Sequence, residues 1–176
     1  MAESRSVRSL AVCSIFASIA ACGPQGPSPG DAATQRGDGG GAGGQWEAEL
    51  QRCVDLTNEY RAQIGRAAYT RSAELEAYAA EGAAYDAEHP TPSHAHFRLD
   101  MGGGVALAEN EIPGWPLASY GTVSAVVEGG LAAMWAEAPP GETGHHDAMA
   151  SASYQRLGCG IHVSPEQYVW LVQDFN

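Results

Sequence analysis

The chain has 176 residues, a formal charge of −12 and no lysine, every cationic side chain being arginine. That length allows one domain and leaves little room for two. The acidic balance excludes nucleic-acid binding, which needs a basic footprint, and charge-driven docking on an anionic lipid surface.

Residues 1–22 read as a secretory lipoprotein signal. Arg5 and Arg8 supply a positive start, and Leu10 to Ala21 is apolar but too short to anchor across a bilayer. The run ends in Ile19-Ala20-Ala21-Cys22, which resembles a bacterial lipobox with Cys22 as the lipidation site. The alternative is an ordinary signal cleaved near Ala20-Ala21, with Cys22 incidental. Residues 23–44 are Gly, Pro, Ala, Ser, Gln, Asp, Thr and Arg, with nothing large and apolar to offset the entropy of ordering. They read as a disordered tether. Gly26-Pro27-Ser28-Pro29-Gly30 imitates a serine-hydrolase elbow, but no strand precedes it to make the turn that chemistry requires.

Residues 45–176, about 130 in all, are enough for one core. Trp46, Leu50, Cys53, Thr57, Tyr60 and Ile64 recur at steps of three and four, which predicts a helix stopped at Gly65. Ser72 is an N-cap for a second helix that carries Glu74 and Glu76 in its first turn and runs to about Asp86, with Leu75, Tyr78 and Ala79 on its buried side. From His94 to Trp115 the pattern is irregular, with Gly102 to Gly104 in a loop and Ala106 to Ile112 a short strand carrying Glu109. Val123, Val126, Val127, Gly130, Leu131 and Met134 mark an amphipathic helix ended by Pro139-Pro140-Gly141. Leu157–Val163 and Gln167–Phe175 form an antiparallel hairpin joined through Ser164-Pro165-Glu166. Helices first and strands last give an α+β fold class.

Cys13 falls within the signal and Cys22 at its end. Cys53 and Cys159 remain as an even pair in an exported domain, the setting in which a disulfide persists. Two separate buried thiols are the alternative.

The histidines and glutamates carry the chemistry. His94 or His96, Glu109, Glu137 and His145 could converge in one cleft. There they could hold a divalent metal such as zinc, or form a polar cluster without one. In an extended segment His94 and His96 would point to opposite sides, so one of them faces the cleft, with His94 slightly favoured. Taken singly, each residue has a plainer reading: His145 in a solvated Gly-rich loop, Glu137 exposed at a helix end, Glu109 in a strand-end turn. His89 and His162 read as surface residues. A His-Glu-x-x-His motif is absent, no serine or cysteine is paired with a base, and no two carboxylates have glycosidase spacing.

Five pieces in order, Leu56-Thr57-Asn58-Glu59-Tyr60-Arg61, Glu109-Asn110, Met134-Trp135-Ala136-Glu137, Gly144-His145 and Leu157-Gly158-Cys159-Gly160-Ile161 with the run to Phe175, resemble the CAP or SCP-like superfamily. This superfamily includes cysteine-rich secretory proteins, antigen 5 and class 1 pathogenesis-related proteins. The resemblance implies an α-β-α sandwich with a small antiparallel sheet between helical layers. It also implies a central cleft lined by Glu109, Glu137, His145 and one of His94 and His96; by imidazole chemistry His145 with His94, or with His96 in its place, are the metal-ligand candidates. The chain departs from the family pattern at Glu111, where leucine is usual, at Met134-Trp135 for Trp-Tyr, and at His146 for an aromatic residue. The expected function is an exported, lipid-anchored binding domain on the periplasmic face or cell surface. It would recognise a small apolar molecule, a peptide or an envelope component, without being an enzyme. A metal-dependent hydrolase using the same cleft, with Glu109 or Glu137 as base, is the alternative, and an envelope protein whose cluster only stabilises the fold is a third.

Overall fold

The computed structural model describes residues 44–176, apart from Ala138 and Glu142. The signal, Cys22 and the tether as far as Gly43 lie outside the described residues. None of the helices described is long and apolar enough to cross a membrane.

Helix α1 spans Glu47–Gln63. It is followed by strand β1 (Thr70–Arg71), helices α2 (Ala73–Glu88) and α3 (Ala95–Asp100), and strand β2 (Ala108–Pro116). Helices α4 (Leu117–Tyr120), α5 (Val123–Trp135) and α6 (Gly144–Ala150) come next, and strands β3 (Arg156–Val163) and β4 (Tyr168–Phe175) close the chain. The capping signals hold locally. Ser72 Oγ accepts the Leu75 amide and Thr122 Oγ1 the Ala125 amide, so α2 and α5 each begin with one donor satisfied. Gly65 follows α1 at φ 70°, a conformation that suits glycine.

The four strands lie in the order β1-β3-β4-β2. The β3–β4 hairpin is antiparallel as expected, β2 adds antiparallel to β4, and β1 pairs parallel with β3. The sheet is therefore mixed, because the two-residue β1 carries too little pattern to show in the sequence. Helices α2 and α3 cover one face, while α1, α5 and α6 cover the other, giving an α-β-α sandwich. Helix α2 sits close on β3 because Gly158 and Gly160 have no side chains: a Cβ on either would run into the α2 backbone at Leu75–Glu76 or Ala79–Ala80. On the opposite face Val126, Val127, Leu131, Met149, Leu157, Leu171 and Phe175 form the main core. All six positions expected on the buried face of α5 are buried.

Cys53 and Cys159 are joined, tying α1 to β3 across 106 positions of sequence. The chain-entropy model assigns ~4.7 kcal/mol to closing a loop of about that length.

Three local expectations change. The segment after His94 is not extended, since α3 begins at Ala95. His145 and His146 belong to α6, not to a loop. The last turn of α1 is rotated relative to the apolar pattern: Ile64 is 48% exposed, whereas Arg61 is 2% exposed. Backbone carbonyls of Ala67, of Met149 in α6 and of Ser151 take up the Arg61 guanidinium, and nothing in local periodicity reports that.

Candidate functional site

The site lies at the outer edge of the sheet, along β2. Successive residues of a strand point to opposite faces, so Glu109 and Glu111 turn one way and Asn110 and Ile112 the other. His94 caps the start of α3 in the left-handed region, at φ 61°. Such a conformation is costly for a residue with a side chain. Two buried carboxylates hold it there. Glu111 Oε2 accepts the His94 amide at 2.6 Å, and Glu109 Oε1 lies 2.8 Å from His94 Nδ1.

His145 approaches from the other helical layer. Its Nδ1 is 2.5 Å from Glu137 Oε1, and its amide donates to Glu137 Oε2 at 3.0 Å. The same oxygen accepts the His146 amide at 3.4 Å. Glu137 thus caps the first turn of α6, where negative charge is favoured. The His146 ring stacks on Trp135 at 4.5 Å between centroids. Asn110 ties the second pair to the core: its Nδ2 donates to the His145 carbonyl and to Gln173 Oε1. Gln173 in turn donates to Thr57 Oγ1 on α1.

The His94 and His145 rings stand 6.4 Å apart between centroids. Each has its Nδ1 engaged by a carboxylate, and neither Nε2 has a protein partner among the described residues. That pattern orients histidines for a ligand on the outer nitrogen.

His96 does something different. Its amide donates to Asp86 Oδ1 at 2.7 Å, its ring packs on Tyr78 and Tyr85, and its Nδ1 is buried without a partner. Glu109 lies between the two histidines: Oε1 takes His94, while Oε2 and His96 Nδ1 both border the space left by the missing side chain of Gly82. His89 is exposed, and His162 is half-buried on β3.

The electrostatics follow from burial. The carboxylate beside His94 raises its pKa above the ordinary histidine range, against the opposing effect of desolvation. Burial also raises Glu109 and Glu111. For Glu137 burial is outweighed by the bonds from the His145 ring and from two backbone amides, so it stays below the usual carboxylate range. Beneath His94 lie three buried carboxyl groups, those of Asp86, Glu109 and Asp174. Asp86 Oδ2, Glu109 Oε2 and both oxygens of Asp174 have no hydrogen-bond partner. Burial first, then the neighbouring carboxylates, push Asp174 up to about 8.

Two hollows flank the histidine pair. One, of about 370 Å³, is lined by His94, Phe97, Arg98, Met101 and Glu109. The other, of about 150 Å³, lies among Ile112, Pro113, Trp115, Met134, Glu137 and His145. Neither lining contains a serine, threonine or cysteine.

The profile of the cysteine-rich secretory protein family, CAP, matches residues 54–175. The chain belongs to that family. Three solved structures are similar to it. BmVAL-1 superposes with a TM-score of 0.59 at 13% identity, over 76% of this chain and 79% of its own. Na-ASP-1 gives 0.56 at 13% identity, over 73% of this chain and 38% of its own. An extracellular SCP-domain protein from Bacillus anthracis gives 0.47 at 16% identity, over 74% and 41%. This CAP chain therefore spans well under half the length of two of these relatives. At such identities the likeness is one of fold. No curated protein is similar enough in sequence to match.

Sequence reasoning missed Glu111, Asn110, Asp86 and Asp174 as parts of the site. Glu111 could have been found, because it shares a strand face with Glu109. Asp86 and Asp174 carry no local signal, being acidic residues in an acidic chain.

Proposed function

We propose that this CAP domain is an exported binding module, held in the envelope by a lipid on Cys22. Its cleft takes a small apolar molecule or an apolar stretch of peptide beside the His94–His145 pair. The observation that carries this reading is the lining of the two hollows: Phe97 and Met101 on one side, Ile112, Trp115 and Met134 on the other, with the histidine–carboxylate pairs and Arg98 as the charged groups and no hydroxyl or thiol nucleophile. Leu99 and Met101, 65% and 72% exposed, extend the apolar surface to the rim. Binding of Nile red tests this. Met101→Glu and Leu99→Glu should each weaken it at least tenfold while leaving the fold intact, and unchanged binding in both rules the cleft out as the apolar site.

A second reading, a metal-dependent hydrolase in the same cleft, is favoured by the engaged Nδ1 atoms. Among the described residues no three potential ligands are gathered tightly enough to hold an ion. The donors are therefore His94 and His145 through Nε2, with water or ligand completing the shell. At a Zn–N distance of ~2.0–2.1 Å, two rings sharing one ion stand roughly 5–6 Å apart between centroids. The observed 6.4 Å is somewhat longer than that, so a shared zinc ion needs the two rings to close. Bound there, zinc would act as a Lewis acid. Glu109 and Glu137 orient the imidazoles, and either is the candidate base. Calorimetric titration with zinc at about pH 7.5 and about pH 5.5 tests this reading, because ligation needs neutral imidazole. Binding at the higher pH alone supports it, and no binding at either pH removes it.

A further inference from the structure

A third hollow lies elsewhere, where the end of α1 meets the end of α6. It measures about 520 Å³ and is lined by Arg61, Arg66, Ala67, Ala68 and Tyr154 among others, with no acidic residue. It shares no lining residue with the two hollows beside the histidines.

Arg61 is the unusual element. It is 2% exposed, yet no carboxylate pairs with it among the described residues. Its guanidinium is held by backbone instead. Nε donates to the Ala67 carbonyl at 2.8 Å, and Nη1 to the carbonyls of Met149 at 2.6 Å and Ser151 at 2.9 Å. Its central carbon lies 3.5 Å from the centroid of the Tyr69 ring. Every contact fixes the plane of the group, and Nη2 is left without a protein partner among the described residues. Beside it Arg66 is anchored through Nε to the Ala150 carbonyl at 3.1 Å, leaving both Nη groups without protein partners among the described residues.

This arrangement is out of keeping with the rest of the surface. Arg52, Arg71 and Arg156 each pair with glutamate. With 21 acidic side chains against nine arginines, a carboxylate partner is the default in this protein. Two of the three described arginines that lack one face the same hollow. A buried cation without a counter-charge is costly, and the remaining Nη2 of Arg61 with the free Nη1–Nη2 edge of Arg66 supplies donors for the oxygens of a carboxylate or phosphate.

We infer that the Arg61–Arg66 hollow binds an oxyanion, the carboxylate or phosphate group of a small soluble molecule whose remaining part lies against Ala67, Ala68 and Tyr154. The hollow is far larger than the anionic group alone needs, and Ala67, Ala68 and Tyr154 offer apolar surface beside the polar Thr70 and Gln155. The net negative charge of the protein disfavours approach to an anionic membrane, so the ligand is taken as soluble.

The test is NMR titration of the folded domain with inorganic phosphate, phenyl phosphate and benzoate at constant ionic strength. Constant ionic strength and comparison with a variant separate binding from the general stabilising effect of phosphate salts. Saturable shifts of the Arg66 side-chain and Thr70 and Gln155 amide signals are expected, with phenyl phosphate tighter than inorganic phosphate. Arg66→Gln, at an exposed position, should weaken binding at least fivefold without altering the circular dichroism spectrum, and Arg66→Lys should recover part of it. Non-saturable shifts, or equal affinity in Arg66→Gln, overturn the inference. So does binding to phosphatidylglycerol vesicles that is lost in Arg66→Gln while the three soluble anions produce no shift, since that assigns the hollow to a lipid headgroup.

Discussion

Glu109 and Asp174 are direct cross-strand partners on β2 and β4. Paired residues point to one face of a sheet, so two carboxyl groups meet beneath α2, where Asp86 is buried as well. The Asp174 side chain has no hydrogen-bond partner on either oxygen. Holding it neutral is the least costly arrangement, and its pKa of about 8 expresses that.

The sign of the resulting pH dependence is fixed. An aspartate in the unfolded chain titrates near ~3.9, so the folded state keeps a proton that the unfolded state has lost. The stability contributed by that proton is complete below the unfolded pKa. It declines as pH rises toward about 8 and is gone above it. Asp174→Asn should flatten this decline and raise the melting temperature by several degrees under mildly alkaline conditions. Thermal denaturation of both proteins from about pH 4 to about pH 9 checks it. A variant that melts lower than the parent throughout would mean that the carboxylate has a partner after all.

The His94–Glu109 pair makes a second expectation. The carboxylate favours the imidazolium, so His94 should titrate above the ordinary histidine range in the metal-free domain. The stability it contributes is full below the unfolded histidine value of ~6.5 and is lost as pH rises through the folded value. Glu109→Gln should bring His94 back down. Two-dimensional NMR of the ring protons follows this directly, and an unmoved midpoint would show that Glu109 does not set it.

Removing the disulfide should cost about 2–5 kcal/mol. Cys53→Ala with Cys159→Ala should melt well below the parent in oxidising buffer. Reductant should bring the parent toward the variant. Equal melting temperatures in oxidising buffer would show that the bridge adds nothing.

Gly160→Ala should also destabilise, by about 1–3 kcal/mol, because the added methyl group must displace the α2 backbone at Ala79–Ala80. Chemical denaturation at unchanged m-value measures it. Gly144→Ala is the control: a Cβ there meets nothing within 4 Å.

Much of the fold was legible because its main elements bury an uninterrupted apolar face. The period of α5, the Ser72 cap of α2 and the apolar runs of β3 and β4 each report on neighbours a few positions away. The joining of Cys53 to Cys159 was readable from the even cysteine pair and the expectation that the domain is exported. Glu109, Glu137 and His145 were legible as an ordered series resembling a known family. Their mutual geometry was not.

What the sequence by itself determined was the set of amphipathic elements, their order, and the residue types available to one cleft, since these depend on local periodicity and composition. Only the tertiary structure decided that His94 takes a left-handed conformation between Glu109 and Glu111, that His96 turns inward to Asp86, and that Arg61 rather than Ile64 is buried at the end of α1. Each of these outcomes involves a hydrogen bond to a residue outside its own helix, to the His94 and His96 amides and from the Arg61 guanidinium. The free energy of burying a charged or polar group is set by that partner, and no pattern of neighbouring residues records it.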